Sequence, residues 1–485
     1  RKPPDMIRRF FRDSAIYTIP SILSYGISFF LVPLYTRVLT PTDYGALDMI
    51  TVFGSLIALT VALEVSQAVA RFYQDEKTDD GKRVLASTAL WFTVITFTIF
   101  LIMALAFAPG LSLIVIGAPG FDDVFRLGTV FIWVNGLFYL LKNQLRWELR
   151  SKAYSAVSIV HSLTTAGASV LLAYVFQFGI YGFLAGMILG TTAGTLLGFY
   201  HLKTTFQLRF DLTKLRTMLA FSIPLVPSSI AVFVSMYIDR LMINYYLSLE
   251  EVGLYGIGYR LASVSTLVLV GFQMALTPLV YKHYQEPETP QQLATIFRTF
   301  LAIVIVIFLI LSLFADVALI ILTTPAYYPA GQVVVFLVPA ILLSQMYIFA
   351  PGIGIAKKTH LFVWINAGGA ILNIFFNWML IPQVGYVGAG IATLMGYACV
   401  FGAYMYCSQK LYYVPHNWKA VVSVVLVAAA VVTIGLNIHL GLYIDMLIRA
   451  GLILLMPGVF LFFGILNWEE IARVRDLLPA RWNQQ

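Results

Sequence analysis

The sequence predicts an all-α polytopic membrane protein of about fourteen transmembrane helices: two six-helix lobes related by a pseudo-twofold axis along the membrane normal, plus two additional helices. Three observations lead there: an apolar composition, basic residues on alternate loops, and an internal repeat. The 485 residues are 60% hydrophobic and 11% charged, with mean hydropathy +0.85, whereas a soluble domain carries about 25% charged residues. Apolar runs of about 20 residues recur along the chain, and in hydrocarbon only helices or closed barrels satisfy the backbone. These runs are too long for barrel strands.

In chain order the predicted spans are 14–36, 47–70, 84–108, 123–145, 154–176, 180–200, 217–240, 252–281, 293–316, 331–353, 360–380, 384–406, 418–437 and 443–466. The stretch RKPPDMIRRFFR (1–12) precedes a full-length first span with no A-x-A-like cleavage site, which reads as a cytoplasmic amphipathic anchor over 1–13. Of the 31 Lys and Arg, 26 fall on the N-terminal tail, the segments 71–83, 142–152, 201–216, 282–298, 357–360 and 408–419, and the C-terminal tail. Basic residues mark cytoplasmic loops, so both termini are expected on the cytoplasmic side of the membrane. The net charge of +8 is thereby a topogenic signal, and no nucleic-acid partner is needed to explain it.

The repeat sets the architecture. FGIYGFLAGMILG has glycines at 179, 182 and 190, and VGYVGAGIATLMG has them at 385, 388 and 396, each pair 206 residues apart, as are Lys152 and Lys358. LTPTDYGAL (39–47) lies over LSLEEVGLY (247–255), with Gly45 and Gly253 208 apart. An offset of six helices gives both halves the same orientation, the parallel-repeat arrangement of alternating-access transporters. The expected domains are an N-lobe (14–200), a cytoplasmic linker (201–216), a C-lobe (217–406), an added helix pair (407–466) and a cytoplasmic tail (467–485).

No loop exceeds about 20 residues, leaving no room for a soluble catalytic domain. There is no Walker-type loop, no Gly-x-Ser-x-Gly elbow and no metal-ligand spacing. Cys399 and Cys407, eight apart in one apolar run, suit neither a disulfide nor a zinc site. No enzymatic activity, catalytic residue, metal or cofactor is expected.

An ionisable group at a helix centre costs at least ~2.5–3.5 kcal/mol, which makes each intramembrane charge a candidate site. Asp239 and Arg240 close the seventh span and Arg37 the first, which puts the cations Arg240 and Arg37 at corresponding outer ends where they could grip a phosphate group; snorkelling to the interface, with Asp239 paired to an arginine, explains them too. Arg260, two turns inside the eighth span, is the basic residue best placed to line a cavity, or else it pairs with Asp239 or Glu251. Arg449 has Asp445 at i−4 as an ion-pair partner. Glu64, Gln67 and Arg71 form a polar stripe on the second span, with Glu64 a candidate coupling carboxylate beside a phosphate-binding Arg71, or a neutralised internal pair. Lys142, Arg146 and Arg150, four apart, make a basic ladder that would meet either a pyrophosphate or anionic lipid headgroups. Pro20, Pro33, Pro224 and Pro227 interrupt the first helix of each lobe, as kinks that flex or simply pack.

Leu39-Thr-Pro-Thr-Asp-Tyr-Gly45 after a basic amphipathic stretch, with Phe221-Ser-Ile-Pro224, Asp239-Arg240 and Glu251-Val-Gly253-Leu-Tyr255, resembles the Wzx-type oligosaccharide flippases of the multidrug/oligosaccharidyl-lipid/polysaccharide exporter superfamily. The resemblance implies a MATE-like fold of two bundles in a V plus two helices, alternating access, and a polyprenyl-pyrophosphate-linked oligosaccharide as the partner carried between leaflets. Membrane lipids and other polysaccharide-assembly membrane proteins are further expected partners, and membrane potential, protons or sodium are the candidate energy sources. The drug antiporters of the superfamily usually carry an acidic residue in the first span, where this chain has none. Such an antiporter and an intramembrane glycosyltransferase or polymerase are the two alternatives.

Overall fold

The computed structural model describes residues 26–27, 31–267, 269, 276, 280, 283–358 and 360–466, and every regular element among them is helical. Twelve helices in this set are long and apolar enough to cross a membrane, matching the second to seventh and ninth to fourteenth predicted spans. The first and eighth predicted spans, 14–36 and 252–281, fall partly outside the described residues, as does Pro20. Ile102, Ile114, Leu196, Trp364, Leu426, Leu447 and Leu454 stand exposed, which only a hydrocarbon surround tolerates at this density. The protein is a multi-pass membrane protein.

By contact the chain divides into two compact units, Arg1–Gly256 with Leu322–Tyr327, and Ile257–Ile321 with Tyr328–Gln485. In the first, α1 (Val32–Val38) leads into α2 (Pro41–Thr60). Helix α2 starts six residues before the predicted boundary because Thr40 and Asp43 form a capping box around Pro41 at the first helical position. It also ends early. Leu63 and Glu64 take φ of 48° and 54°, a left-handed conformation that no helix continues through, and a separate α3 (Val65–Phe72) follows. Its Val65, Ala68 and Val69 pack on Leu85, Ala86, Leu140 and Met218.

Helices α4 (Asp79–Ala106), α5 (Asp122–Trp147), α6 (Ser151–Ser169, continued as a π-helical segment to Val175) and α7 (Gly179–His201) complete the first half. A Cβ on Gly182, Gly186 or Gly190 of α7 would lie 2.6, 2.3 and 2.0 Å from Leu172, Ser169 and Thr165 on the preceding strip of helix, so these glycines let two backbones touch. Next come α8 (Leu212–Ser222), a 3-10 turn at Ile223–Leu225 that holds Pro224, α9 (Val226–Tyr246) with Pro227 in its first turn, and α10 (Leu249–Ala262).

The second unit contains α11 (Thr289–Leu313), α12 (Gly331–Gln345), α13 (His360–Val384), α14 (Tyr386–Leu411), α15 (Trp418–Leu436) and α16 (Leu442–Leu454). Gly388 of α14 meets the Leu380 backbone and Gly396 meets Asn373 on α13, and Gly385 and Gly179 both have positive φ. The repeated glycines thus hold the same structural posts in the two halves. Phe297 stacks near Phe349, His416 and Trp418 with centroids 5.2, 4.7 and 6.3 Å away. Burial pushes His416, in the loop before α15, down to a pKa of about 4.

Arg449 is buried and does not pair with Asp445, whose Oδ1 accepts from Leu440 N. Its guanidinium instead binds Asp316 at 2.7 Å, Leu313 O at 2.8 Å and Gly435 O at 3.1 Å. That grip ties α16 to α15 and to the end of α11, because a carboxylate reached across helices brings two carbonyl acceptors with it while Asp445 is spent capping its own helix.

Candidate functional site

Within the first unit, α2 and α10 cross at the end away from the basic loops. A Cβ on Gly45 would sit 1.9 Å from Leu249 O, and one on Gly253 would sit 1.9 Å from Pro41 O. These contacts exchange under the repeat offset: Gly45 and Gly253, and Pro41 and Leu249, are each 208 apart. A contact in which i meets j and j meets i is the mark of a twofold axis. The pairs Thr40–Asp43 and Ser248–Glu251, also 208 apart, are hydrogen-bonded alike at the two helix starts.

Part of that symmetry extends to the neighbouring contacts, in the Thr36 and Asn244 ties. Thr36 Oγ1 donates to Leu322 O at 3.3 Å, Thr324 Oγ1 to Thr36 O at 3.3 Å, and Tyr327 OH to Leu39 O at 2.8 Å. Asn244, 208 residues after Thr36, donates to Ile116 O at 3.0 Å. The tip of each first helix is therefore tied to the loop after the opposite third helix, and the set forms a seal across this end.

A charged cluster lies directly beneath. Arg240 Nε donates to Asp48 Oδ2 at 2.6 Å, and its guanidinium lies 5.7 Å from the Tyr237 ring centroid and 5.6 Å from that of Tyr255. Tyr255 OH donates to Asp239 Oδ2 at 2.7 Å. Asp239 and Arg240 are 4% and 6% exposed, so snorkelling to an interface does not describe them. A buried ion pair persists only where partners replace the lost hydration, and here a carboxylate and two aromatic faces do so. Asp48 fits because Gly256 opposite it has no side chain; a Cβ there would lie 3.2 Å from Oδ2.

Below the cluster a cavity of about 370 Å³ runs between α2 and α9, lined by Ser55, Leu59, Ser228, Ser229, Val232, Phe233, Met236 and Tyr237. Its hydroxyls and aromatic rings suit sugar hydroxyls and ring faces, with a guanidinium one turn away from Tyr237. The Tyr237 and Ser55 hydroxyls face each other at 3.4 Å.

The remaining predicted residues lie elsewhere. Arg37 is exposed, and it does not correspond to Arg240: the 208 offset places Tyr245 over Arg37 and Val32 under Arg240. The Glu64–Gln67–Arg71 stripe does not exist as one helical face, since Glu64 is the left-handed residue before α3, and Arg71 is exposed and paired with Asp75. The basic ladder is broken as well. Helix α5 ends at Trp147 and Leu149 turns left-handed, so Lys142 lies over the Tyr154 ring and Arg146 over Trp147, while Arg150 caps the next helix and pairs with Glu148 at 3.1 Å.

Glu148 also accepts from Gln144 at 3.0 Å, Thr205 at 2.8 Å and Tyr73 at 3.2 Å. Burial first, and this carboxylate second, raise the Tyr73 phenol well above its usual range. At the same end a cavity of about 480 Å³ is lined by residues including Asp75, Glu76 and Lys214, with Lys214 paired to Glu76. Arg260, on α10, is half-buried in the second unit. Pro33 lies in the first turn of α1.

Sequence reasoning missed Asp48, Tyr237, Tyr255 and the serines. Asp48 carries the signal that should have exposed it: a carboxylate seven residues into α2, about 10 Å along the helix. Starting the span at 47 instead of 41 placed it at the rim.

The fold is similar to solved structures of exporters. The lipid II flippase MurJ in an inward closed conformation aligns with TM-score 0.71 and 13% identity over 93% of this chain and 100% of that one. An inward-facing multidrug resistance MATE family transporter of the MOP superfamily aligns with TM-score 0.63 and 15% identity over 82% and 97%. Among curated proteins, the probable low-salt glycan biosynthesis flippase Agl15 of Haloferax volcanii is 22% identical over 95% of both chains. Lsg locus putative protein 1 of Haemophilus influenzae is 26% identical over 56% of this chain and 66% of its own length, and the succinoglycan biosynthesis transport protein ExoT of Rhizobium meliloti is 25% identical over 52% and 50%. The chain thus spans one half to two thirds of the latter two relatives' length. A model described as polysaccharide biosynthesis protein matches residues 34–332, and the chain belongs to that family.

Proposed function

We propose that this protein is a flippase that moves a polyprenyl-pyrophosphate-linked oligosaccharide from the inner to the outer leaflet by alternating access, in cell-surface polysaccharide biosynthesis. The observation that carries the reading is the cavity of α2 and α9, whose lining includes three serines, Phe233 and Tyr237, with the guanidinium of the buried Arg240 5.7 Å from the Tyr237 ring. Sugar sits among the serines, Phe233 and Tyr237, the phosphates reach the guanidinium, and the prenyl chain stays in lipid. Full-length similarity to a chain named as a glycan biosynthesis flippase supports it. The basic loops lie cytoplasmic in a cell inner membrane with both termini inside, which makes the sealed end the outer one.

No chemistry on the substrate is required, and the protein works as a carrier and not as an enzyme. With the cell interior negative, outward movement of an anion gains about 2.3 kcal/mol per charge per 100 mV, so the potential is the proposed driving force, with protons or sodium as the alternative. Lys142 and Arg146, at the cytoplasmic end of α5, meet the pyrophosphate on entry. A cationic-drug antiporter needs an acidic cavity, whereas the carboxylates beside this one are held by Arg240 and Tyr255.

Transbilayer movement of a fluorescent polyprenyl-pyrophosphate oligosaccharide in proteoliposomes tests the proposal. Movement by the intact protein and its reduction by tenfold or more in Arg240→Ala is the expected result. Exchange of a cationic drug for protons or sodium, with no lipid moved, would install the antiporter in its place.

A further inference from the structure

The glycine crossing and one tie at each first-helix tip are twofold symmetric, and the charged contact beneath them is not. Gly45 and Gly253 exchange places under the 208 offset, as do Pro41 and Leu249, and Thr36 and Asn244 repeat the same tie to the opposite loop. Asp48–Arg240 has no counterpart in the repeat: the residue 208 after Asp48 is Gly256, and the residue 208 before Arg240 is Val32. The glycine crossing supplies backbone contact only, which is unchanged by whatever occupies the cavity. The ion pair beneath the seal is made of groups a charged ligand can compete for, and it joins α2 to α9, the two helices that line the cavity.

We propose that Asp48 is an internal stand-in for the substrate's phosphate: its carboxylate holds Arg240 while the outer end is sealed, and a phosphate arriving from the cavity takes Arg240 from it and releases the seal. The phosphate as competitor rests on the flippase reading; the latch itself does not.

The geometry suits an exchange of anions. Arg240 Nε donates to one Asp48 oxygen at 2.6 Å, and a guanidinium has five donors arranged to match either a carboxylate or a phosphate. The Asp48 side chain is 20% exposed against 7% for Arg240, so the carboxylate keeps a path to water when displaced, whereas the arginine must always have an anion. Releasing Asp48 frees α2 from α9 one turn below Gly45 and unsupports the crossing. Asp48 is in this sense a positioning residue: it acts on substrate only through Arg240 and the seal.

The test uses full-length protein in nanodiscs with Cys399 and Cys407 replaced by serine and Thr36→Cys as reporter, because Thr36 is 2% exposed in the sealed state. Labelling by a membrane-impermeant maleimide reads seal opening without any transport assay. Asp48→Asn, nearly isosteric and checked for folding by its elution profile, is expected to label about five- to tenfold faster than the parent. Polyprenyl pyrophosphate in the disc is expected to accelerate the parent similarly and to add nothing to Asp48→Asn. Equal labelling of the two proteins without lipid overturns the latch. Fast labelling of Asp48→Asn with a parent unmoved by the lipid keeps the latch and overturns the phosphate as its key. If Asp48→Asn does not fold, Arg240→Gln breaks the same pair from the other side and is read the same way.

Discussion

At the residue scale, the buried arginines show how a membrane protein keeps a cation where hydration is lost. Arg240 has Asp48 and two aromatic rings; Arg449 has Asp316 and two backbone carbonyls. They differ in consequence, because Arg240 lies against Tyr237, which lines a cavity, and Arg449 joins packed helices. Replacing Arg449 by Gln strips a carboxylate and leaves carbonyls short of donors, which should lower stability by about 2–3 kcal/mol. A lower thermal midpoint with lipid transport retained at permissive temperature is the expected outcome, measured by thermal denaturation alongside flux; loss of flux in a protein of unchanged midpoint would give Arg449 a direct part in transport.

At the element scale, helix crossings set by glycine decide which segments touch. The α2–α10 crossing leaves no room for a methyl group at Gly45 or Gly253, since the obstacle in each case is the opposite backbone carbonyl and not a side chain that can swing away. Gly45→Ala and Gly253→Ala should therefore each force the helices apart and raise labelling of a Thr36→Cys reporter severalfold. The double variant should do little more than either alone, because one displacement satisfies both methyl groups; additive effects of the two would mean that they act at separate places. Helix ends were the least legible feature at this scale. The apolar windows located α2 and α5, but the capping box at Thr40, the left-handed Leu63 and Glu64, and the end of α5 at Trp147 each moved charged residues off the faces that an uninterrupted helix assigns them.

At the scale of the whole molecule, the repeat is the organising fact, because it generates the seal. The ties from Thr36 to Thr324 and from Asn244 to Ile116 must part together if the sealed end is to open. A disulfide between Thr36→Cys and Thr324→Cys, in a background lacking Cys399 and Cys407, should hold that end shut, abolish lipid movement under oxidation and restore it on reduction. Full transport by the crosslinked protein would show that transport does not need these ties to part.

Apolar windows, alternating basic loops and glycines at a fixed offset were enough, by themselves, to determine a multi-pass helical membrane protein with an internal duplication, because hydrocarbon imposes helices and a duplication leaves its spacing in the chain, and the motif resemblance added the exporter fold. The partner of each charge was decided only by the tertiary structure. Asp48 and Arg240 are 192 residues apart and Arg449 and Asp316 are 133 apart, and which face of a helix meets which neighbour depends on rotation about its axis. An all-round apolar helix carries little periodic signal to fix that rotation, so the site at the crossing of α2, α9 and α10 emerged from packing.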